Sequence, residues 1–248
     1  MAAAVKLQRH TGRRRAERFL AEGPNLVEAA LRRGLVSEVF ATESAHERFA
    51  ALLADAPVQL VTERAAKALS ETVTPVGLVA VCTMPQTSLA DVLAASPRLV
   101  AVAVEISEPG NAGTLIRIAD AMGADAVVLA GHSVDPYNGK CLRASAGSIF
   151  SIPVVSQTDS AAVVGALRAA DLQVLATTVD GEVSLDDAEL ASPTAWLFGP
   201  EAHGLPAELA REATHRVCIP MPGHAESLNV ASAAAICLYQ SAAAHRRS

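Results

Sequence analysis

Phe198-Gly199-Pro200-Glu201-Ala202-His203-Gly204-Leu205, Ile219-Pro220-Met221-Pro222-Gly223 and Glu226-Ser227-Leu228-Asn229-Val230 decide how this chain is read. Two apolar, strand-like runs each end in a turn rich in Gly and Pro. The second turn feeds a long Ala-rich helix that begins at Ser227. Such turns leave backbone N–H and C=O groups free to hold a small ligand, and glycine lets the chain approach it closely. In a parallel α/β sheet, ligands sit beyond the carboxyl ends of the strands, which is where these turns fall.

Working outward, the chain from Leu99 repeats a strand–helix rhythm. Leu99–Ile106 is a continuous apolar run suited to a parallel strand buried on both faces. Strands are predicted over 126–130, 152–155, 172–177, 194–198 and 216–219. Helices are predicted over 112–122, 138–146, 160–170, 206–213 and 227–244. The fold class is therefore α/β, a mostly parallel sheet flanked by helices. Upstream, residues 19–82 alternate helix and strand on a smaller scale. Asn25 is placed to cap a helix ended by Gly34, and 36–41, 58–61 and 77–82 read as strands around helices 44–54 and 63–70. Residues 83–98, bracketed by Pro85 and Pro97, read as a linker between this small domain and a C-terminal domain over 99–248.

The 248 residues are 51% hydrophobic and 19% charged, the composition of a globular protein with a sizeable core, not of a disordered chain. No apolar run reaches the roughly 20 residues of a membrane helix, and no signal segment follows the basic N-terminus. Cys82, Cys141, Cys218 and Cys237 form no C-x-x-C pair. Cys82 and Cys218 read as small buried hydrophobes, and a reduced, cytoplasmic protein without a zinc site is expected. The net charge is −6, yet residues 1–18 carry Lys6, Arg9, Arg13, Arg14, Arg15 and Arg18 against Glu17 alone. That basic arm can meet phosphate even on an acidic protein, because screening confines fields to about 8–10 Å. A solvated, partly disordered arm explains the same pattern.

A further turn, Glu108-Pro109-Gly110-Asn111-Ala112-Gly113, precedes Arg117 on the helix it opens. Asn111 is placed to cap that helix. Arg117 stands among Leu115, Ile116, Ile118 and Ala119 near the strand ends, where a guanidinium wants a carboxylate or phosphate. This turn is not G-x-G-x-x-G, and neither a Walker sequence nor a G-x-S-x-G elbow occurs. His203, His215 and His224 lack metal-ligand spacing and read as exposed turn residues.

Asn111-Ala112-Gly113 with Arg117, Ala119 and Gly123, then Phe198-Gly199-Pro200-Glu201 with Gly204-Leu205, then Ile219-Pro220-Met221 with Gly223 and Ser227-Leu228-Asn229-Val230, resemble the three ordered motifs of the SpoU/TrmH family. These are RNA ribose 2′-O-methyltransferases that use S-adenosylmethionine. Lys140, Arg143, Ser145, Ala146 and Gly147 match a fourth stretch of the pattern. The segments 19–24, 27–30 and 74–81 are similar to the L30e-like substrate-binding domain of the 23S rRNA branch. Ala231 and Gln240 depart from the family, which often has Ser and Glu there.

The resemblance implies a C-terminal trefoil knot and a homodimer in which helix 227–244 takes part. It implies that Gly199, Ile219, Met221 and Leu228 hold the cofactor, with Thr177 as a weaker candidate. It makes Asn111, Arg117, Glu201, Ser227 and Asn229 the catalytic set. Arg117 would orient the ribose or an adjacent phosphate, Asn111 would position Arg117, and Glu201 would pair with either of them. Ser227 and Asn229 would hold the target nucleotide and the active-site loop. Arg9, Arg13, Arg14, Arg15, Lys140 and Arg143 are candidates for RNA phosphates. The alternatives are a tRNA ribose methyltransferase and a non-catalytic RNA-binding or ribosome-assembly module.

Overall fold

Residues 1–247 are described by a computed structural model. The basic N-terminus is folded: helices α1 (Ala2–Val5) and α2 (His10–Ala16) flank a 3-10 turn, Lys6–Gln8. Ala4 and Leu7 bury themselves against Phe40, Leu69, Val79 and Val81, so this segment is no free arm. The chain then runs through β1 (Arg18–Glu22), α3 (Pro24–Arg32), β2 (Val36–Ala41), α4 (Glu43–Arg48), α5 (Ala50–Leu53), β3 (Val58–Leu60), α6 (Glu63–Leu69) and β4 (Leu78–Thr83). These strands form a sheet in the order β1-β4-β2-β3, antiparallel except for β2 with β3.

Two local expectations change here. Gly23 is the N-cap of α3 with Pro24 at its first position, so Asn25 lies inside the first turn. The single helix over 44–54 is two, α4 and α5, meeting at Phe49 and capped by Thr42, whose hydroxyl accepts from Ala45 N–H. Strand β1 is too short, and too closely flanked by charge, for its alternation to be read in advance.

After α7 (Leu89–Ala94), opened by a Ser88–Asp91 capping box, come β5 (Leu99–Val104), α8 (Pro109–Ala121), β6 (Ala126–Ala130), α9 (Gly139–Ser145), β7 (Val154–Gln157) and α10 (Ser160–Ala169). Then follow β8 (Gln173–Thr177), β9 (Val183–Ser184), β10 (Thr194–Phe198), α11 (Ala207–Glu212), β11 (His215–Cys218) and α12 (Val230–His245). The strands pair in parallel in the order β7-β6-β5-β10-β8-β11-β9. Every residue of β5, β6 and β10 is buried, as continuous apolar runs require. One face packs Ala101, Ala103, Trp196 and Phe198 beneath Leu115 of α8 and Ala234 and Leu238 of α12. The other face packs Val100, Val102 and Leu197 against Val163 and Leu167 of α10 and Leu209 of α11. Trp196 Nε1–H donates to Ser241 Oγ at 2.8 Å, which satisfies the indole where it is buried and fixes α12 on β10.

The first of these cores continues without a break into the smaller sheet. Phe19 of β1 places its ring 4.8 Å from that of Tyr137 and 5.7 Å from that of Phe150. Among the described residues no helix is long and apolar enough to cross a membrane, and all four cysteines are free. Burial pushes the Cys82 and Cys141 thiols up to about 12, so neither is a ready nucleophile.

Candidate active site

Beyond the carboxyl ends of β8, β10 and β11 lies a cavity of about 520 Å³, in the size range of small-molecule sites. Its walls come from residues within three stretches: 177–180, 198–205 and 217–233. All five residues proposed for the cofactor, Thr177, Gly199, Ile219, Met221 and Leu228, line it, as do Glu201 and Ser227. Gly199 is sterically required: a Cβ there would fall 2.5 Å from Leu205 N and 2.6 Å from Gly204 C, both backbone atoms that cannot turn aside.

The two threonines at the end of β8 differ. Thr177 Oγ1 donates to Leu197 O at 2.8 Å and so ties β8 to β10. Thr178 Oγ1 is buried without a hydrogen-bond partner among the described residues, and Thr178 also lines the cavity. A buried, unpaired hydroxyl costs stability until something pairs it. Reading the sequence alone missed Thr178, because nothing in a Thr-Thr pair says which hydroxyl a neighbouring strand will take.

At the cavity edge, the Glu201 carboxylate collects a cluster. Asn229 Nδ2 donates to Glu201 Oε1 at 2.5 Å, Asn111 Nδ2 at 3.2 Å and Val230 N–H at 3.0 Å. Asn229 Nδ2 also donates to Asn111 Oδ1 at 3.1 Å. The N-cap of α12 is Asn229, not Ser227: its Oδ1 accepts from Ala231 N–H at 3.0 Å. The Glu201 charge thus sits against the N-terminus of α12, where the helix dipole favours it. Asn111 is likewise not a cap. Glu108 caps α8 by accepting from Gly110 N–H, which leaves the Asn111 amide to reach Glu201. Helix α8 is seated by Gly113, where a Cβ would fall 2.3 Å from Cys141 O of α9.

Arg117 is not part of this cluster. It is exposed on α8, with no hydrogen bond or ion pair among the described residues. Six residues after Asn111, it faces a different side of the helix, since each residue turns the chain by about 100°. Ser227 is exposed on the cavity wall.

The phosphate candidates divide. Arg9, Arg14 and Arg15 are exposed. Arg13 is a correction: only 3% exposed, it donates from Nε to Asp135 Oδ2 at 2.7 Å and from Nη1 to the Leu7 and Gln8 carbonyls. Lys140 Nζ pairs with Glu108 Oε1 at 2.5 Å, and this hydrogen bond, with that from Gly110 N–H, holds the Glu108 carboxyl below the usual carboxylate range. Arg143 Nη1 lies 3.6 Å from Glu22 Oε2, too long for a hydrogen bond, so their contact is electrostatic.

Residues 98–239 match the SpoU rRNA Methylase family, and residues 2–80 match the MRM3-like substrate binding domain. The 23S rRNA (guanosine(2553)-2′-O)-methyltransferase RlmP of Bacillus subtilis is 37% identical over 235 residues, 94% of this chain and 92% of the relative. The SpoU methyltransferase AviRb of Streptomyces viridochromogenes, crystallised with AdoMet, superposes with a TM-score of 0.87 at 30% identity, covering 99% of this chain and 98% of that one. An AdoMet-bound rRNA methyltransferase from Sinorhizobium meliloti gives a TM-score of 0.85 at 31% identity over 99% of this chain and 94% of its own.

Proposed function

This chain belongs to the SpoU rRNA methylase family, and from that premise we propose that it methylates a ribose 2′-hydroxyl of 23S rRNA with S-adenosylmethionine as methyl donor. The observation that carries this reading is the strand-end cavity with the Asn111–Glu201–Asn229 cluster at its edge. The cavity suits the cofactor on two counts. Gly199 keeps its floor lined by backbone, and the Thr178 hydroxyl needs a polar partner. Gly199, Ile219, Met221 and Leu228 would hold it, and the bound cofactor supplies an electrophilic methyl group on a sulfonium.

The chain's own task is to present the ribose oxygen and manage its proton, since a neutral hydroxyl is a poor nucleophile. The planar, five-donor guanidinium of Arg117 suits orientation of the ribose or an adjacent phosphate. Ser227, on the cavity wall, and Asn229, beside it on Glu201, would hold the target nucleotide. The domain over residues 2–80 favours rRNA, as do relatives that match nearly the whole chain.

Two finer features belong to the same reading. The first is a C-terminal trefoil knot. Its support is the insertion of β10 between β5 and β8, and the contact of Gly199 with Gly204–Leu205. The second is a homodimer through α8 and α12. Its support is the exposure of Ile236 and Tyr239, three residues apart on α12, and of Arg117 away from its own chain's cluster.

The test is transfer of labelled methyl from S-adenosylmethionine to 23S rRNA. Arg117→Ala is expected to lose transfer and keep cofactor binding. Cofactor binding without methylation of any RNA fraction by the unaltered protein would overturn the reading.

A further inference from the structure

The contact between the two sheets is a built interface, and its least expected member is Arg13. The guanidinium points away from the solvent that its neighbours face, with its side chain 4% exposed. Both Nε and Nη2 lie 2.7 Å from Asp135 Oδ2, while Nη1 donates to Leu7 O at 3.0 Å and Gln8 O at 2.8 Å. One side chain therefore closes the α1–α2 turn and crosses to the loop between β6 and α9. Burying such a charge is costly unless its donors are filled, and here those three nitrogens are.

Asp135 is equally committed. Its Oδ1 accepts from Tyr137 N–H at 2.9 Å, and its carbonyl accepts from Asn138 N–H at 3.1 Å. Asn138 caps α9, and α9 packs on α8 at the Gly113 contact. Helix α8 carries Asn111 and Arg117. A continuous path of packed groups thus joins basic helix α2 to the catalytic turn. The Phe19–Tyr137–Phe150 rings lie beside it, and Arg33 donates to Ser151 O at 3.1 Å across the same boundary.

We propose that Arg13, through Asp135, is a positioning residue that locks basic helix α2 to the catalytic domain and so sets where Arg9, Arg14 and Arg15 meet RNA phosphates relative to the active site. The RNA part of this inference rests on the methyltransferase reading above; the lock itself does not. Arg13 touches no RNA in this scheme. Its loss should therefore misplace phosphate contacts without removing one.

The experiment compares the full-length protein with Arg13→Gln and with Asp135→Asn, which retains a carbonyl oxygen for Tyr137 N–H. Hydrogen exchange of the free proteins should show faster exchange over residues 10–16 in both variants. With a 23S rRNA transcript, KM for RNA should rise by about tenfold, because an unlocked α2 must be ordered again on binding and that cost falls on affinity, while kcat and the Kd for S-adenosylmethionine stay within twofold. The salt dependence of RNA binding separates positioning from contact. Arg14→Gln or Arg15→Gln should each lower the slope of log K against log salt by up to about one, and Arg13→Gln should leave it unchanged. Unchanged exchange over 10–16 in both variants, an unchanged KM, or a slope that falls for Arg13→Gln as for Arg14→Gln would each overturn the proposal. If the unaltered protein methylates no RNA, the methyltransferase reading fails and the lock is judged by exchange alone.

Discussion

Thr177 and Thr178 stand side by side at the cavity, yet one hydroxyl holds a strand and the other is buried without a hydrogen-bond partner among the described residues. Removing the second should help the free protein and harm its complex. Thr178→Val, nearly isosteric, is expected to leave the melting temperature of the free protein equal or higher. It should weaken S-adenosylmethionine binding about five- to tenfold, the worth of one neutral hydrogen bond. Calorimetry and thermal melts check both, and unchanged affinity would remove Thr178 from the site. Glu108 supplies a pH signature. Its carboxyl is held below the ordinary 4.5 by the Lys140 hydrogen bond and then by Gly110 N–H. A carboxylate shifted down on folding adds stability above its unfolded pKa and loses it as pH falls through the folded value. The melting-temperature gap between wild type and Glu108→Gln should accordingly be present at neutral pH and close below about 4.5. Exposure of the pair keeps that gap small.

At the scale of elements, two helices are placed by single residues. Gly113 lets α8 approach α9 so closely that an alanine methyl would meet a backbone oxygen. Gly113→Ala should cost about 1–3 kcal/mol in urea unfolding, the range for overpacking a tight contact. It should also reduce transfer by shifting Asn111 and Arg117. Helix α12 is capped by Asn229, which also serves Glu201. Asn229→Ala should cost about 1 kcal/mol for the cap, whereas Asn229→Asp keeps a capping oxygen but sets a second carboxylate against Glu201. If Asn229 only caps, the Asp variant retains full transfer; a role in the cluster predicts that both variants lose it.

At the scale of the molecule, the proposed homodimer would seat a second copy on the α12 face that exposes Ile236 and Tyr239. Tyr239→Arg is expected to shift sedimentation from dimer to monomer and to abolish transfer. A variant that still sediments as a dimer would place the interface elsewhere. The two sheets share one continuous apolar core, so the substrate-binding region is set against the catalytic region by packing as well as by the chain that connects them.

Periodicity and turn chemistry carried much of this in one dimension. Continuous apolar runs marked β5, β6 and β10 because both faces of those strands are covered, and the Gly/Pro turns marked the strand ends where the cavity opens. Residue identity, read as a family pattern, was enough to pick several of the residues that line that cavity. What the sequence left open were choices between equivalent groups: which threonine keeps a spare hydroxyl, which of Ser227 and Asn229 caps α12, and which arginine of a basic run turns inward. The threonine and arginine choices depend on partners far along the chain, 20 residues away for Thr177–Leu197 and 122 for Arg13–Asp135. The cap itself is local, but the Asn229 amide that makes it also reaches Asn111, 118 residues away. A local pattern records how one element buries its own face. Only the packed arrangement of elements decides whose side chain arrives opposite it, and there the tertiary structure alone turned Arg13 from a surface charge into an interior tie.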